Sequence, residues 1–366
     1  MRVLHLITTA GPHPYFEHFG THTDRGRFDV RLATLGPPGA LHRDAARMRL
    51  PSVGFDAHRR AGYARALGAL VRYLRREQID VIQTHLLDAC VVGLLAARIA
   101  GTRVRIFTAH HSHEIPLHHG WSLSEVDRLA SSRLANVVIS PSEHMKATLV
   151  MMHGLPADRV RVIHHGFDLA KLDPGKVDAS AIRRELGLDG KIVLTSIGRL
   201  YWIKNQEALV QAFASLNAPE TVLLLAGAGD SAALDALIRS LGLESRVFLL
   251  GNRGDVPELL AGTDLYVHPA QAESFAMVIV EAMAMGVPVL STPVGIASDV
   301  IEQGVSGFLA GGSTSTALSA ALRNALEQRE DWKSIGSIAR ERADLFPAER
   351  MVREHESLYL ELLPRP

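Results

Sequence analysis

One cysteine in 366 residues leaves Cys90 without an intrachain partner. This excludes a disulfide framework and fits a reducing compartment. Set in an apolar stretch, Cys90 reads as core packing. Charge of one sign is lacking too: 39 Lys+Arg balance 39 Asp+Glu, so no global field recruits nucleic acid. Lysine is scarce, six of the 39 basic residues, which gives weight to a lysine at a special position. No run reaches the ~18 uncharged apolar residues of a membrane span. Met1–Ile7 is too short and too polar for a signal peptide. A cytoplasmic location is expected. In Ala64–Arg76, Arg65, Arg72, Arg75 and Arg76 interleave with leucines. The plainer reading is an amphipathic surface helix; the alternative is a peripheral contact with the inner membrane face.

Hydrophobic residues make up 47% of the chain, enough for more than one core, and the length predicts about two domains. Short β-rich runs alternate with helical stretches throughout. The strand candidates are MRVLHLIT, DVRLATL, DVIQTH, RVRIFTA, NVVIS and RVRVIHH, then KIVLTSIG, TVLLLAG, RVFLLG, DLYVHP and PVLST. Runs this apolar suit strands buried on both faces, as in a parallel sheet, and the alternation implies βαβ units. The polar, breaker-containing stretch DLAKLDPGKVDAS separates two sets of five or six strands. The expected organisation is a domain over 1–168, a linker over 169–180, a second domain over 181–346 and a terminal helix over 347–366. Ligands of such sheets bind outside the strands' carboxyl ends, so a cleft between the two sheets is the expected site.

Two segments carry chemistry. In ESFAMVIVEAMAMG, Glu273 and Glu281 stand eight residues apart between the strands DLYVHP and PVLST. The second half must be a helix, because it joins parallel strands. Starting near Phe275, it would carry Glu281 about two turns in, on the side of Glu273. One carboxylate can then accept sugar hydroxyls and the other ribose hydroxyls. A capping role for Glu273 and a solvated face for Glu281 are the plainer alternatives. The second is weak, because Glu281 is flanked by Val278, Ile279, Val280, Ala282 and Met283 and a buried carboxylate needs a partner. In GRLYWIKN, Arg199 and Lys204 occupy the turn after a strand. Two cations there would neutralise a diphosphate and stabilise it as a leaving group.

These segments, with LLLAGAGD, FLLGNRGDVPELLAGTDLYVHPA, STPVG and VIEQGVSGFLA, resemble the retaining GT-B glycosyltransferases of family 4 over nearly the whole chain. The resemblance implies an α/β fold of two Rossmann-like, doubly wound parallel-sheet domains facing across a cleft. It also implies a nucleoside diphosphate-sugar donor, a UDP- or GDP-sugar, and a sugar, lipid-linked or small-molecule acceptor. Arg199 and Lys204 would hold the diphosphate, Glu273 the donor sugar and Glu281 the ribose. Backbone amides at Phe275, Ala276 and Met277 would face phosphate and sugar, with Asn252 and Arg253 near the base. His110, at the end of RVRIFTA, would lie by the reacting carbon. Five histidines fall between His110 and His119, so a metal site stands as an alternative to packing and transfer roles. With no HExxH pattern and no cysteine nearby, neither metal nor cofactor is expected.

Four residues in three segments depart from the family pattern. Ala276 replaces a glycine, and His165 replaces an asparagine before Gly166. In the first loop, Gly11 remains but His13 and Pro14 replace a glycine pair, and proline lacks an amide donor. Two other functions stay open on sequence alone. One is an epimerase or hydrolase of nucleotide-sugars on this fold; the other is a non-catalytic sugar-nucleotide-binding protein.

Overall fold

The computed structural model describes residues 1–11, 13–57, 59–110 and 121–363. It divides into two compact units, Met1–Phe167 with Pro347–Pro366, and Asp168–Phe346. The first unit holds strands β1 (Arg2–Ile7), β2 (Asp29–Thr34), β3 (Ser52–Gly54), β4 (Val81–His85), β5 (Val104–Thr108), β6 (Val137–Ser140) and β7 (Val160–Val162). They form one sheet in the order β3-β2-β1-β4-β5-β6-β7. The second unit holds β8 (Ile192–Ile197), β9 (Thr221–Ala226), β10 (Val247–Gly251), β11 (Leu265–His268), β12 (Val289–Ser291) and β13 (Phe308–Leu309). Their order is β10-β9-β8-β11-β12-β13. The strand pairings of both sheets are parallel, so the doubly wound α/β class is confirmed. All eleven strand candidates form strands. The two additional ones, β3 and β13, are edge strands of three and two residues, too short for a periodic signal.

Side-chain alternation buries each sheet on both faces. In β1, Val3 and Ile7 join one core with Phe16, Phe19, Val81 and Ile106; Leu4 and Leu6 join another with Leu70, Leu74 and Ile82. Cys90 is fully buried in a third cluster with Leu94 and Phe107. The last helix, Ala348–Leu362, buries Met351, Val352, His355, Leu358 and Tyr359, and several of these complete the core around Phe16 and Phe19. Gly166 fits because a Cβ there would lie 2.5 Å from the Ala348 Cα. The helix Tyr63–Arg76 turns Ala66, Leu70, Val71 and Leu74 into its own unit, so its leucine-rich face is packed rather than displayed. Among the described residues, no helix is long and apolar enough to cross a membrane.

Candidate active site

In the second sheet, the chain winds from β8 outward through β9 and β10, then returns to β11 and continues to β12 and β13. The β8/β11 boundary is therefore a topological switch point, where diverging connections leave room for a ligand beyond the carboxyl ends. Both chemistry-bearing segments emerge there. After β8 the chain passes Gly198 and Arg199 into a short 3-10 turn, Trp202–Lys204, closed by Asn205 at φ 61°. Asparagine tolerates that left-handed conformation better than most residues. Its side-chain amide donates to the carbonyls of Pro269 at 3.0 Å and Ser313 at 2.7 Å. The Gln271 amide donates to the Ile203 carbonyl at 2.8 Å. These bonds tie the loop after β8 to the loop after β11.

That tie brings Lys204 and Glu273 together: Lys204 Nζ donates to Glu273 Oε1, and both side chains are largely buried. His268, the last residue of β11, lies 3.1 Å from the same oxygen through Nε2, and its Nδ1 is 3.1 Å from the Tyr266 hydroxyl. Burial alone would raise the Glu273 carboxyl. The hydrogen bond and charge of His268, with Lys204, overcome this and hold it at about 2. Glu273 is thus an anion at any physiological pH, with lone pairs to spare for hydroxyl donors.

Glu281 differs. The helix begins at Met277, not near Phe275, because Ala276 adopts a left-handed conformation (φ 71°, ψ 70°) before it. Glu281 therefore stands just over one turn in rather than two. Its neighbours Ile279, Val280, Ala282 and Met283 are fully buried. Among the described residues, no hydrogen bond or ion pair to its carboxylate is found, and burial pushes it up to about 7. The positive φ at Ala276 also gives a physical reason for glycine there, since a Cβ in that region costs about 1 kcal/mol. Phe275 is buried, whereas Met277 is exposed.

Two glycines are required by close approach. A Cβ on Gly227 would lie 1.9 Å from the Gly198 carbonyl oxygen, and one on Gly295 2.4 Å from that of Phe275. AGAG and PVG thus back the two loops that carry Arg199 and Glu273. Arg199 is exposed, its guanidinium 6.0 Å from the Tyr201 ring centroid. Asn252 is exposed after β10. Arg253 is engaged by Asp255 at 2.9 Å and Glu185 at 2.8 Å, an anchoring role for this loop.

In the first sheet the switch point lies between β1 and β4. His110 follows β5 and is half-buried. Its Nε2 is 2.9 Å from His85 Nδ1, and its ring stacks on His165 at 5.5 Å with a 3° interplanar angle. His111, His113, His118 and His119 lie outside the described residues. In the first loop, Pro14 is the first residue of the helix Pro14–His22, where its φ suits the helix and its missing amide breaks no internal bond. That helix end still has one fewer amide to offer an anion. A Cβ on Gly11 would meet nothing within 4 Å, so packing does not demand glycine there. Sequence reasoning missed His268 and Asn205. A histidine ending a strand at the proposed edge was the available signal for the first; nothing marked the second.

Residues 178–342 match the family described as "Glycosyl transferases group 1", and residues 11–171 match "Glycosyltransferase Family 4". The chain belongs to the family 4 GT-B glycosyltransferases. It is a glycosyltransferase by that membership. N-acetyl-alpha-D-glucosaminyl L-malate synthase of Bacillus anthracis is 29% identical over 297 residues, 79% of this chain and 76% of the relative. D-inositol 3-phosphate glycosyltransferase of Mycolicibacterium vanbaalenii is 30% identical over 64% of this chain, and the match spans 56% of that relative. Among solved structures, Anabaena HepE in complex with UDP-glucose superposes with a TM-score of 0.83 at 28% identity, covering 98% of this family 4 chain and 99% of the other.

Proposed function

We propose that this enzyme transfers a sugar from a nucleoside diphosphate-sugar, a uridine diphosphate-sugar in the first instance, to an acceptor hydroxyl with retention of configuration. The carrying observation is the pairing at the β8/β11 switch point of an ionised, cation-held Glu273 with a half-buried Glu281 that has no partner among the described residues. HepE, solved with UDP-glucose, supports the uridine carrier. So does an Escherichia coli UDP-Gal-dependent galactosyltransferase at 25% identity over 67% of this chain.

In this reading Glu281 takes the ribose hydroxyls, which supply the donors its carboxylate lacks. Glu273 takes donor-sugar hydroxyls. Arg199 and Lys204 neutralise the diphosphate, and their stabilisation grows as the bond from the anomeric carbon to the phosphate oxygen breaks. The acceptor hydroxyl attacks from the face the diphosphate leaves, and its proton passes to the departing phosphate oxygen. Glu273 is a poor nucleophile and base at a pKa of about 2, committed to His268 and Lys204, which supports a front-face route without a covalent enzyme intermediate.

A thermal-shift panel of UDP, GDP, ADP and TDP tests the carrier, since a ligand of the native state raises Tm by mass action. UDP is expected to give the largest shift; a larger shift with another nucleotide overturns the uridine assignment. With a competent acceptor, proton NMR of the product's anomeric centre should show the donor's configuration, and an inverted product would refute retention. Conversion of donor without acceptor would favour an epimerase or hydrolase.

A further inference from the structure

Beneath His110 the first unit contains a continuous run of buried polar side chains. His5, Gln83, Thr108, Tyr15, His355 and Tyr359 lie within it, all nearly inaccessible to solvent. Strand register sets the central ones side by side: His5 pairs with Gln83, and His85 with Thr108. The run reaches His110 through two imidazole contacts, His5 Nδ1 to His85 Nε2 at 3.0 Å and His85 Nδ1 to His110 Nε2 at 2.9 Å.

With the buried imidazoles neutral, the direction of the bonds from His355 to His110 follows from one backbone carbonyl. His355 Nδ1 is 2.8 Å from the Met351 carbonyl oxygen, which only accepts, so Nδ1 carries the proton. Neutral His355 then accepts at Nε2, and the Tyr15 hydroxyl 2.9 Å away must donate to it. The Tyr15 oxygen can now only accept, and does so from Gln83 Nε2 at 3.1 Å; the other Gln83 N–H donates to Thr108 Oγ1 at 2.7 Å. Gln83 Oε1 therefore faces Tyr359 and accepts its hydroxyl proton. The Tyr359 oxygen is left to accept from His5 Nε2–H at 3.4 Å. His5 Nδ1 then accepts from His85 Nε2–H, and His85 Nδ1 accepts from His110 Nε2–H. Complete burial favours neutral imidazoles at His5, His85 and His355, whose proton affinities are all pushed down.

We infer that this relay fixes His110 as the Nε2–H tautomer, so that any hydrogen-bond partner of His110 Nδ1 must be a donor, with Gln83, Tyr359, His5 and His85 as positioning residues. A carbonyl or phosphate oxygen at Nδ1 would oppose the relay, whereas a hydroxyl completes it. The tautomer stands independently of substrate; only its kinetic consequence rests on the placement of His110 in the transfer site.

Long-range proton–nitrogen NMR on histidine-labelled protein reads each ring directly. The expected pattern is Nε2–H on His5, His85 and His110, and the opposite tautomer, Nδ1–H, on His355. Nδ1–H on His110 would overturn the relay whether or not the protein transfers sugar. Tyr359→Phe removes the acceptor for His5 Nε2–H while keeping the ring. It should move the His110 nitrogen shifts toward averaged values and lower kcat roughly tenfold with donor KM unchanged. Unchanged His110 shifts in that variant would show that Tyr359 only packs. If the variant fails to fold, the wild-type spectrum alone decides. Normal wild-type tautomers without any transfer would count against the proposed function and leave the relay standing.

Discussion

The carboxyl edges of the two sheets solve different problems with the same topology. At the second edge, Lys204 and His268 converge on an ionised Glu273, and Glu281 sits nearby with no partner among the described residues. At the first edge the polar residues behind His110 are neutral rings, a phenol pair and an amide, joined in one direction. Ion pairs suit a charged diphosphate, whose arrival can rearrange them. Neutral directed hydrogen bonds suit a hydroxyl, for which donor and acceptor must be told apart.

The comparison breaks most visibly at Lys204. Lys204→Ala should lower kcat/KM by about 10²–10³-fold, on the scale of one lost transition-state contact, read by steady-state transfer. A loss below about threefold would remove Lys204 from the diphosphate site. Gly295→Ala comes next. Its Cβ would meet the Phe275 carbonyl at 2.4 Å, at a φ of 54°. Chemical denaturation should show a loss of about 2–4 kcal/mol, with activity falling as the Glu273 loop shifts.

Glu281→Gln sharpens the contrast. Because the folded Glu281 is raised to about 7 from 4.5, its stabilising contribution is full below pH 4.5 and is lost as pH rises through 7. Free of ligand, Glu281→Gln should therefore be more stable than wild type at pH 8, on the order of 2–3 kcal/mol, with the difference falling to about a quarter of that at pH 5. Nucleotide affinity should fall about tenfold, since a charged acceptor becomes neutral. Wild-type affinity itself should climb from pH 6 to pH 8 as the carboxyl ionises, measurable by calorimetry. The smallest effect is expected of Ala276→Gly, a gain of at most about 1 kcal/mol from relieving a positive φ, read as a small rise in Tm.

The fold was legible because central strands of a parallel sheet are apolar on both faces and announce themselves; β3 and β13, at the edges, do not. Glu273 and Lys204 were legible because each sits just past a readable strand. His268 was not, since its partner lies across a loop and its own strand reads as core. The run behind His110 was still less visible. Its bonds join residues far apart in sequence, with 276 positions between Tyr359 and Gln83 and 340 between Tyr15 and His355. No local pattern encodes such pairs, because strand register and a returning helix create them.

The return of Ala348–Leu362 to the first unit gives this chain a particular order of birth. The first 167 residues leave the ribosome without Met351, Val352, Leu358 and Tyr359 of their own core. They must wait for the whole second unit to be made, a delay of roughly ten to forty seconds at ordinary translation rates. During that interval an apolar groove stands open beside Phe16 and Phe19, and the partners that orient Gln83 have not been synthesised. The N-terminal half is thus the first to be made and the last to be finished, which makes it the half that chaperones and proteases would be expected to meet.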